Sequence, residues 1–280
     1  MVDSHGRFTW YELVTTDVDA AKAFYTSVMG WATWDASAPG RPYFVFTAGE
    51  AAIGGLMSLP QDARDAGVPA SWIGHVGVDD VDASVERTKR LGGTVHIPPT
   101  DVGNISRFAI ISDPQSARLA LFQWRQRGPR PPADPTAPGR VGWHELLAAN
   151  WEEALAFYGA LFGWEKADAD IDPTGTYQLF SAAGETIGGM VAKPDAIPIP
   201  YWLYYFNVSD IDAAAERVEA GGGQILGANE VPGGSWIVEC ADPQGALFAL
   251  EGNRGRKPVG YFVRAGPGVP STGRGPKWSW

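Results

Sequence analysis

Apolar and polar residues alternate between two periods along this chain, one of strands and one of helices. Phe8 to Thr15, rich in aromatic and β-branched residues, reads as a strand. Asp17 is a candidate N-cap for a helix in which Ala21, Phe24, Tyr25, Val28 and Met29 keep the i, i+3, i+4, i+7, i+8 spacing, and Gly30 stops it. Tyr43 to Phe46 and Ala52 to Met57 follow as short strands broken by glycine and proline. The order then repeats. Trp72 to Val78 reads as a strand, Asp80 as a cap, and Val81, Val85, Thr88 and Leu91 as the apolar stripe of a helix ended by Gly92 and Gly93. Arg107 to Ile111 and Ala117 to Phe122 supply later strands, joined by a turn at Asp113 and Pro114.

The same series recurs in the second half. Asp17 to Tyr25 is echoed by Asn150 to Tyr158 and Gly30-Trp31 by Gly163-Trp164, at an offset of 133 residues. Ile53-Gly54-Gly55 matches Ile187-Gly188-Gly189 at 134, Asp80-Val81-Asp82-Ala83 matches Asp210-Ile211-Asp212-Ala213 at 130, and Asp113-Pro114-Gln115 matches Asp242-Pro243-Gln244 at 129. The drift places insertions in loops. The pattern predicts two homologous domains, 1–124 and 141–251, a proline-rich semi-rigid linker over 125–140, and a Gly/Pro-rich basic extension over 252–280. Each domain holds two strand–helix–strands units, four in the chain. This predicts an α+β fold with helices on one face of curved antiparallel sheet.

Composition narrows the function. Of 280 residues 45% are apolar, with 12 Trp, 12 Phe and 9 Tyr, which excludes a disordered chain. The net charge of −10 repels phosphate backbones and anionic lipid, so neither nucleic acid nor a membrane surface is expected as a partner. One cysteine, Cys240, a start at Met1 without signal-peptide character and no run of 18 apolar residues lead to the expectation of a cytoplasmic protein.

The strand followed by Asp, the Ala-Phe-Tyr helix ending in Gly-Trp, the later Val-Asp and Gly-Gly pairs and the Asp-Pro hairpin, all in order and twice over, resemble the vicinal-oxygen-chelate superfamily of glyoxalases, bleomycin-resistance proteins and ring-cleaving dioxygenases. Within it the chain is most similar to tandem two-domain hydroxylase- or glyoxalase-like bacterial proteins. The resemblance implies four βαβββ units forming two open cups with the site inside. It also implies metal ligands at set positions. Here those positions hold Trp10, Trp143, Ile73, Leu203, Ala120 and Ala249, with Gly54-Gly55 and Gly188-Gly189 at the fourth-strand position. None offers an oxygen or imidazole ligand. No metal or other cofactor is therefore expected, with a divalent metal at relocated ligands as the alternative.

Two residues beyond each vacant strand position, and so on the same face, stand Glu12, His75, Glu145 and Tyr205. Glu12 and His75 are the candidate catalytic pair, since a carboxylate beside an imidazole suits proton transfer. Trp10, Trp72, Trp143 and Trp202 lie on the same strands and are expected to wall the cup with Glu145 and Tyr205 as ligand-binding groups. The competing reading is that the carboxylates only orient the cup by structural hydrogen bonds. His144 is expected on the opposite face, Trp31 and Trp164 in the core, and Cys240 as a buried structural thiol. The functional expectation is a protein binding a small, partly aromatic molecule without metal. The alternative is a glyoxalase-like or hydroxylase-like enzyme, lyase or dioxygenase in type, and a homodimer is left open. Tyr261 to Val263, Trp278 and Trp280 give the extension a means of docking on the acidic body.

Overall fold

The computed structural model describes residues 4–125, 134–167 and 177–255. The proline-rich part of the linker and the calls on Tyr261 to Val263, Trp278 and Trp280 lie outside the described residues.

The first half runs β1 (Phe8–Thr15), α1 (Val18–Met29), β2 (Ala32–Asp35), β3 (Phe44–Ala48), β4 (Ala51–Ser58), α2 (Gln61–Asp65), β5 (Ser71–Gly77), α3 (Val81–Arg90), β6 (Thr94–Val102), β7 (Ser106–Ser112) and β8 (Arg118–Trp124). The second half repeats it without the short α2: β9 (Val141–Ala148), α4 (Trp151–Phe162), β10 (Glu165–Lys166), β11 (Tyr177–Ala182), β12 (Glu185–Ala192), β13 (Tyr201–Val208), α5 (Ile211–Ala220), β14 (Gln224–Glu230), β15 (Trp236–Ala241) and β16 (Leu247–Gly252). Helix limits follow from their caps. Asp17 accepts a hydrogen bond from the Ala20 amide, and Gly30 turns left-handed at φ 69° to close α1. Asn150 and Gly163 do the same for α4.

Each half is one eight-stranded sheet, ordered β2-β3-β4-β1-β5-β8-β7-β6 and β10-β11-β12-β9-β13-β16-β15-β14. The cups are therefore formed within each half, with the two units joined by the antiparallel pairs β1–β5 and β9–β13. The sheets are mixed where antiparallel sheet was expected. The crossover through the helix and two hairpins returns the last strand of each unit beside its first in the same direction, so β1–β4, β5–β8, β12–β9 and β13–β16 are parallel.

The two sheets meet across the faces that carry the helices. α1 packs against α5 and α3 against α4, and between these pairs β5 lies directly on β13. The helices are outside the cups, each with a buried stripe and an exposed face. Reciprocal polar contacts lock this interface. Tyr25 Oη donates to Asp242 Oδ2 at 3.1 Å and accepts from Trp72 Nε1 at 2.9 Å. Tyr158 Oη donates to Asp113 Oδ2 at 3.0 Å and accepts from Trp202 Nε1 at 3.2 Å. The Ala-Phe-Tyr helix of each half thus reaches the Asp-Pro turn of the other. Trp31 and Trp164 are core residues, as expected, 2% and 3% exposed. Their indoles donate to Gly139 O and Gly6 O. Among the described residues no helix is long and apolar enough to cross a membrane.

Candidate active cups

Strand register fixes what faces each cup. Directly paired residues share a face, so the pairings Trp10 with His75, Glu12 with Ile73 and with Gly55, and His75 with Ala120 put all of them on one surface. In the second half Trp143 pairs with Tyr205, Glu145 with Leu203 and with Gly189, and Tyr205 with Ala249. The positions at which the resemblance implies metal ligands fall on these two surfaces, with Gly55 and Gly189 the cup-facing members of the two glycine pairs.

A tyrosine that the sequence reading did not single out organises each cup. Tyr43 Oη donates to Glu12 Oε2 at 2.9 Å and accepts from Trp10 Nε1 at 3.1 Å. In the second cup Trp143 Nε1 donates to Tyr177 Oη at 2.9 Å, and the Tyr177 phenol is hydrogen-bonded to Glu145. The Gly-Gly pair makes room for these rings. A β-carbon at Gly55 would overlap Tyr43 Oη, and one at Gly189 would overlap the Tyr177 ring. The signal lay in the repeat: each tyrosine stands twelve residues before its glycine, at the Gly-Gly offset of 134.

The cups differ at several polar positions: Glu239 and Glu251 face the second cup where the first has Ile110 and Phe122, and Tyr205 replaces a histidine. Tyr205 Oη donates to Glu145 Oε1 at 3.1 Å, so Glu145 is bound by two phenols. At the equivalent place in the first cup stands His75, 4% exposed, whose Nδ1 lies 3.2 Å from Ile73 O and whose ring is edge-on to Phe122 at 5.6 Å. A carbonyl only accepts, so the proton sits on Nδ1 and Nε2 keeps its lone pair. Burial depresses the His75 pKa, against the opposing pull of the Glu12 charge, and keeps the ring neutral near pH 7. Burial raises the Glu145 pKa, while the two phenols hold it down. Desolvation, with the adjacent carboxylates, moves Tyr43, Tyr177 and Tyr205 well above the ordinary phenol value, so all three remain donors. Leu147, Leu203, Tyr205 and Ala249 form an apolar floor in the second cup, with Trp143 and Tyr201 against it.

Trp72 and Trp202 do not wall the cups. Sharing a strand is not sharing a face: Trp72 is three residues from His75 and Trp202 three from Tyr205, and an odd separation turns a side chain to the other side. Both are 5% exposed in the interface, on Tyr25 and Tyr158. His144 faces away from its cup, as expected, but is buried there, stacked on Phe8 at 3.9 Å. Cys240 is buried and its pKa is pushed up to about 12 by desolvation. Two cavities lie outside the cups, one of about 310 Å³ between Pro138, Asn207 and Glu251 and one of about 260 Å³ between His5, Asp80 and Arg87.

The family model of the glyoxalase/bleomycin resistance protein/dioxygenase superfamily matches residues 7–121 and 140–250, one match per sheet. The chain belongs to this superfamily. Its relatives include "Putative glyoxylase CFP32" of Mycobacterium tuberculosis (strain CDC 1551 / Oshkosh), 34% identical over 88% of this chain and 94% of that protein. The "Anthracycline biosynthesis protein DnrV" of Streptomyces peucetius is 31% identical over 88% of this chain and 92% of that one. Among solved structures, the Mn(II)-bound glyoxalase from Novosphingobium aromaticivorans aligns with TM-score 0.61 at 15% identity, over 89% of this chain and 82% of that one. The 2,3-dioxygenase LapB from Pseudomonas sp. KL28 aligns with TM-score 0.60 at 14% identity, over 91% and 94%. These structural likenesses show the fold.

Among the described residues no three His, Cys, Asp or Glu side chains converge. The first cup brings Glu12 near His75, and Glu12 accepts from Tyr43.

Proposed function

We propose that this protein binds a small, partly aromatic molecule in its cups without a metal ion. The observation that carries the reading is the phenol of Tyr43 seated over Gly55 and tied to Trp10 and Glu12, repeated by Tyr177 over Gly189. Each phenol uses its proton on a carboxylate and its lone pair on an indole, which fixes the carboxylate and leaves the indole face as a flat wall. Such a surface suits an aromatic body bearing a hydrogen-bond donor. The name of the anthracycline biosynthesis relative supports an aromatic ligand. The net charge of −10 supports a small molecule over nucleic acid, and the lone buried Cys240 agrees with a reducing, cytoplasmic setting.

The second reading is an enzyme in which His75 accepts a proton from the ligand and Glu12 stabilises the resulting imidazolium. It rests on the neutral imidazole beside Glu12, a pairing that the second cup replaces with Tyr205. In that reading Tyr43 holds Glu12, Trp10 holds Tyr43, and Phe122 excludes water from the imidazole.

Titration calorimetry with alizarin, a planar hydroxylated anthraquinone, in excess EDTA tests the proposal. Saturable binding weakened in Glu12→Gln and Trp10→Phe is the expected result. Binding that disappears with EDTA, or none at all, would overturn it.

A further inference from the structure

The duplication supplies an internal comparison for each cup. Trp10, Tyr43, Gly55 and Glu12 in the first match Trp143, Tyr177, Gly189 and Glu145 in the second, with the same hydrogen-bond order. Besides Glu239 and Glu251, which face the second cup where the first has Ile110 and Phe122, the difference is the group facing the carboxylate from the central partner strand. In the second cup it is the phenol of Tyr205, which donates to Glu145 Oε1 and completes the carboxylate with a second donor. In the first it is His75, whose cup-facing nitrogen is an acceptor because its other nitrogen is engaged with Ile73 O.

We infer that the first cup is the ligand site, that the second is filled by its own Tyr205, and that the ligand is a neutral hydroxyaryl molecule whose O–H takes the role in the first cup that the Tyr205 phenol has in the second. The inference rests on the small-molecule reading above and adds which cup is used and what chemistry it takes. A carboxylate and an imidazole lone pair on one face are two acceptors, and they are complemented by a donor. With Nδ1 engaged at Ile73 O, Nε2 is the acceptor of His75 left for a donor that enters the cup. The ring to which that donor is attached has aromatic partners: Phe122 stands edge-on to His75, and Trp124 lies edge-on to Phe122 at 4.8 Å. Charge selects the protonated form, since a phenolate would face the Glu12 carboxylate. The second cup needs no such guest. Its carboxylate is satisfied from within the chain, and Tyr205, 2% exposed, belongs to the apolar floor with Leu147, Leu203 and Ala249.

The duplication also supplies the test, because each cup shows that the other's residue is compatible with its framework. Calorimetry on the full chain with 2-naphthol, and with 2-methoxynaphthalene as the analogue lacking the donor, reads both affinity and stoichiometry. The expected result is one 2-naphthol per chain, with the methoxy analogue at least tenfold weaker. His75→Tyr should weaken 2-naphthol at least tenfold at an unchanged melting temperature, and Tyr205→His should raise the stoichiometry to two. Should His75→Tyr fail to fold, His75→Phe removes the acceptor while keeping a ring, and the same tenfold loss is expected. Two sites in the parent, equal binding of the methoxy analogue, or unchanged affinity in the His75 variants would overturn the inference while leaving small-molecule binding intact. Absence of any aromatic binding, alizarin included, would overturn both.

Discussion

Tyr11 donates its phenolic proton to Nε2 of His144 at 2.6 Å, and these two residues, 133 apart, occupy the same position in the two copies of the repeat. The neighbouring equivalent positions also meet, the Gly74 amide donating to Tyr204 Oη at 2.7 Å. The two halves therefore join about an approximate two-fold relation, with Trp10 and Glu12 on one side of β1, Tyr11 on the other, and His144 correspondingly behind Trp143 and Glu145.

His144 makes this junction acid-sensitive. Its Nδ1 donates to Ile187 O at 2.6 Å and its Nε2 accepts from Tyr11, and burial lowers its pKa to about 4. Between that value and the ordinary histidine value near 6.5 the unfolded chain binds a proton that the folded chain refuses, so stability is full above about pH 6.5 and falls as pH drops. The slope for one such group is at most about 1.4 kcal/mol per pH unit, amounting to roughly 3 kcal/mol by pH 4. Urea denaturation at pH 7 and pH 5 should show a loss of about 2 kcal/mol from this group in the parent and a smaller total loss in His144→Gln, the remainder including His75 and His96. An equal loss in both proteins would remove His144 from the account.

Tyr25 and Tyr158 should matter equally to the interface. Tyr25→Phe leaves the Trp72 indole and Asp242 Oδ2 buried without their partner, and Tyr158→Phe does the same to Trp202 and Asp113. Each is expected to lower stability by about 1–3 kcal/mol, with no change in the cups. Chemical denaturation of the two single variants checks this, and a change under a few tenths in either would show that the lock is slack.

Gly55→Ala is expected to destabilise by about 1–3 kcal/mol, because the new methyl displaces the Tyr43 phenol from Glu12. Tyr43→Ala in the same chain should recover part of that loss by removing the overlap. Thermal melts of the two single variants and the double variant give the coupling directly, and simple additivity would contradict the close approach.

The Glu145 carboxyl sits between effects of opposite sign, burial and the Glu239 charge raising its pKa and the Tyr177 and Tyr205 phenols lowering it. Tyr205→Phe removes one of the lowering groups, so the pKa should rise further. Carbon-detected NMR titration of the Glu145 side chain in both proteins measures the direction, and a downward shift would contradict the assigned hydrogen bond.

Much of this architecture was legible in the chain. The caps Asp17 and Asn150, the stops Gly30 and Gly163 and the offsets of the repeat located the helices, because local capping chemistry does not depend on tertiary partners. Period-two alternation put Glu12, His75, Glu145 and Tyr205 on the faces they occupy. It also separates Trp72 from His75, and their placement on one wall failed because strand membership was used in place of parity. His144 was assigned to the far face, but the sequence carries no sign that the far face would be sealed by the other half. Tyr43, expected to open a strand, and Tyr177 carry no motif that marks them as site residues, although their fixed spacing to Gly55 and Gly189 is present in the repeat.

On the proposed reading a hydrogen-bonded Trp–Tyr–Glu arrangement takes the place of a metal centre in each cup. Elemental analysis of the protein after incubation with manganese, nickel, zinc and iron(II) and removal of unbound ions tests it most directly. The account predicts well below one metal per chain, unchanged in Glu12→Gln and Glu145→Gln. One metal per chain or per cup, lost in either variant, would contradict it.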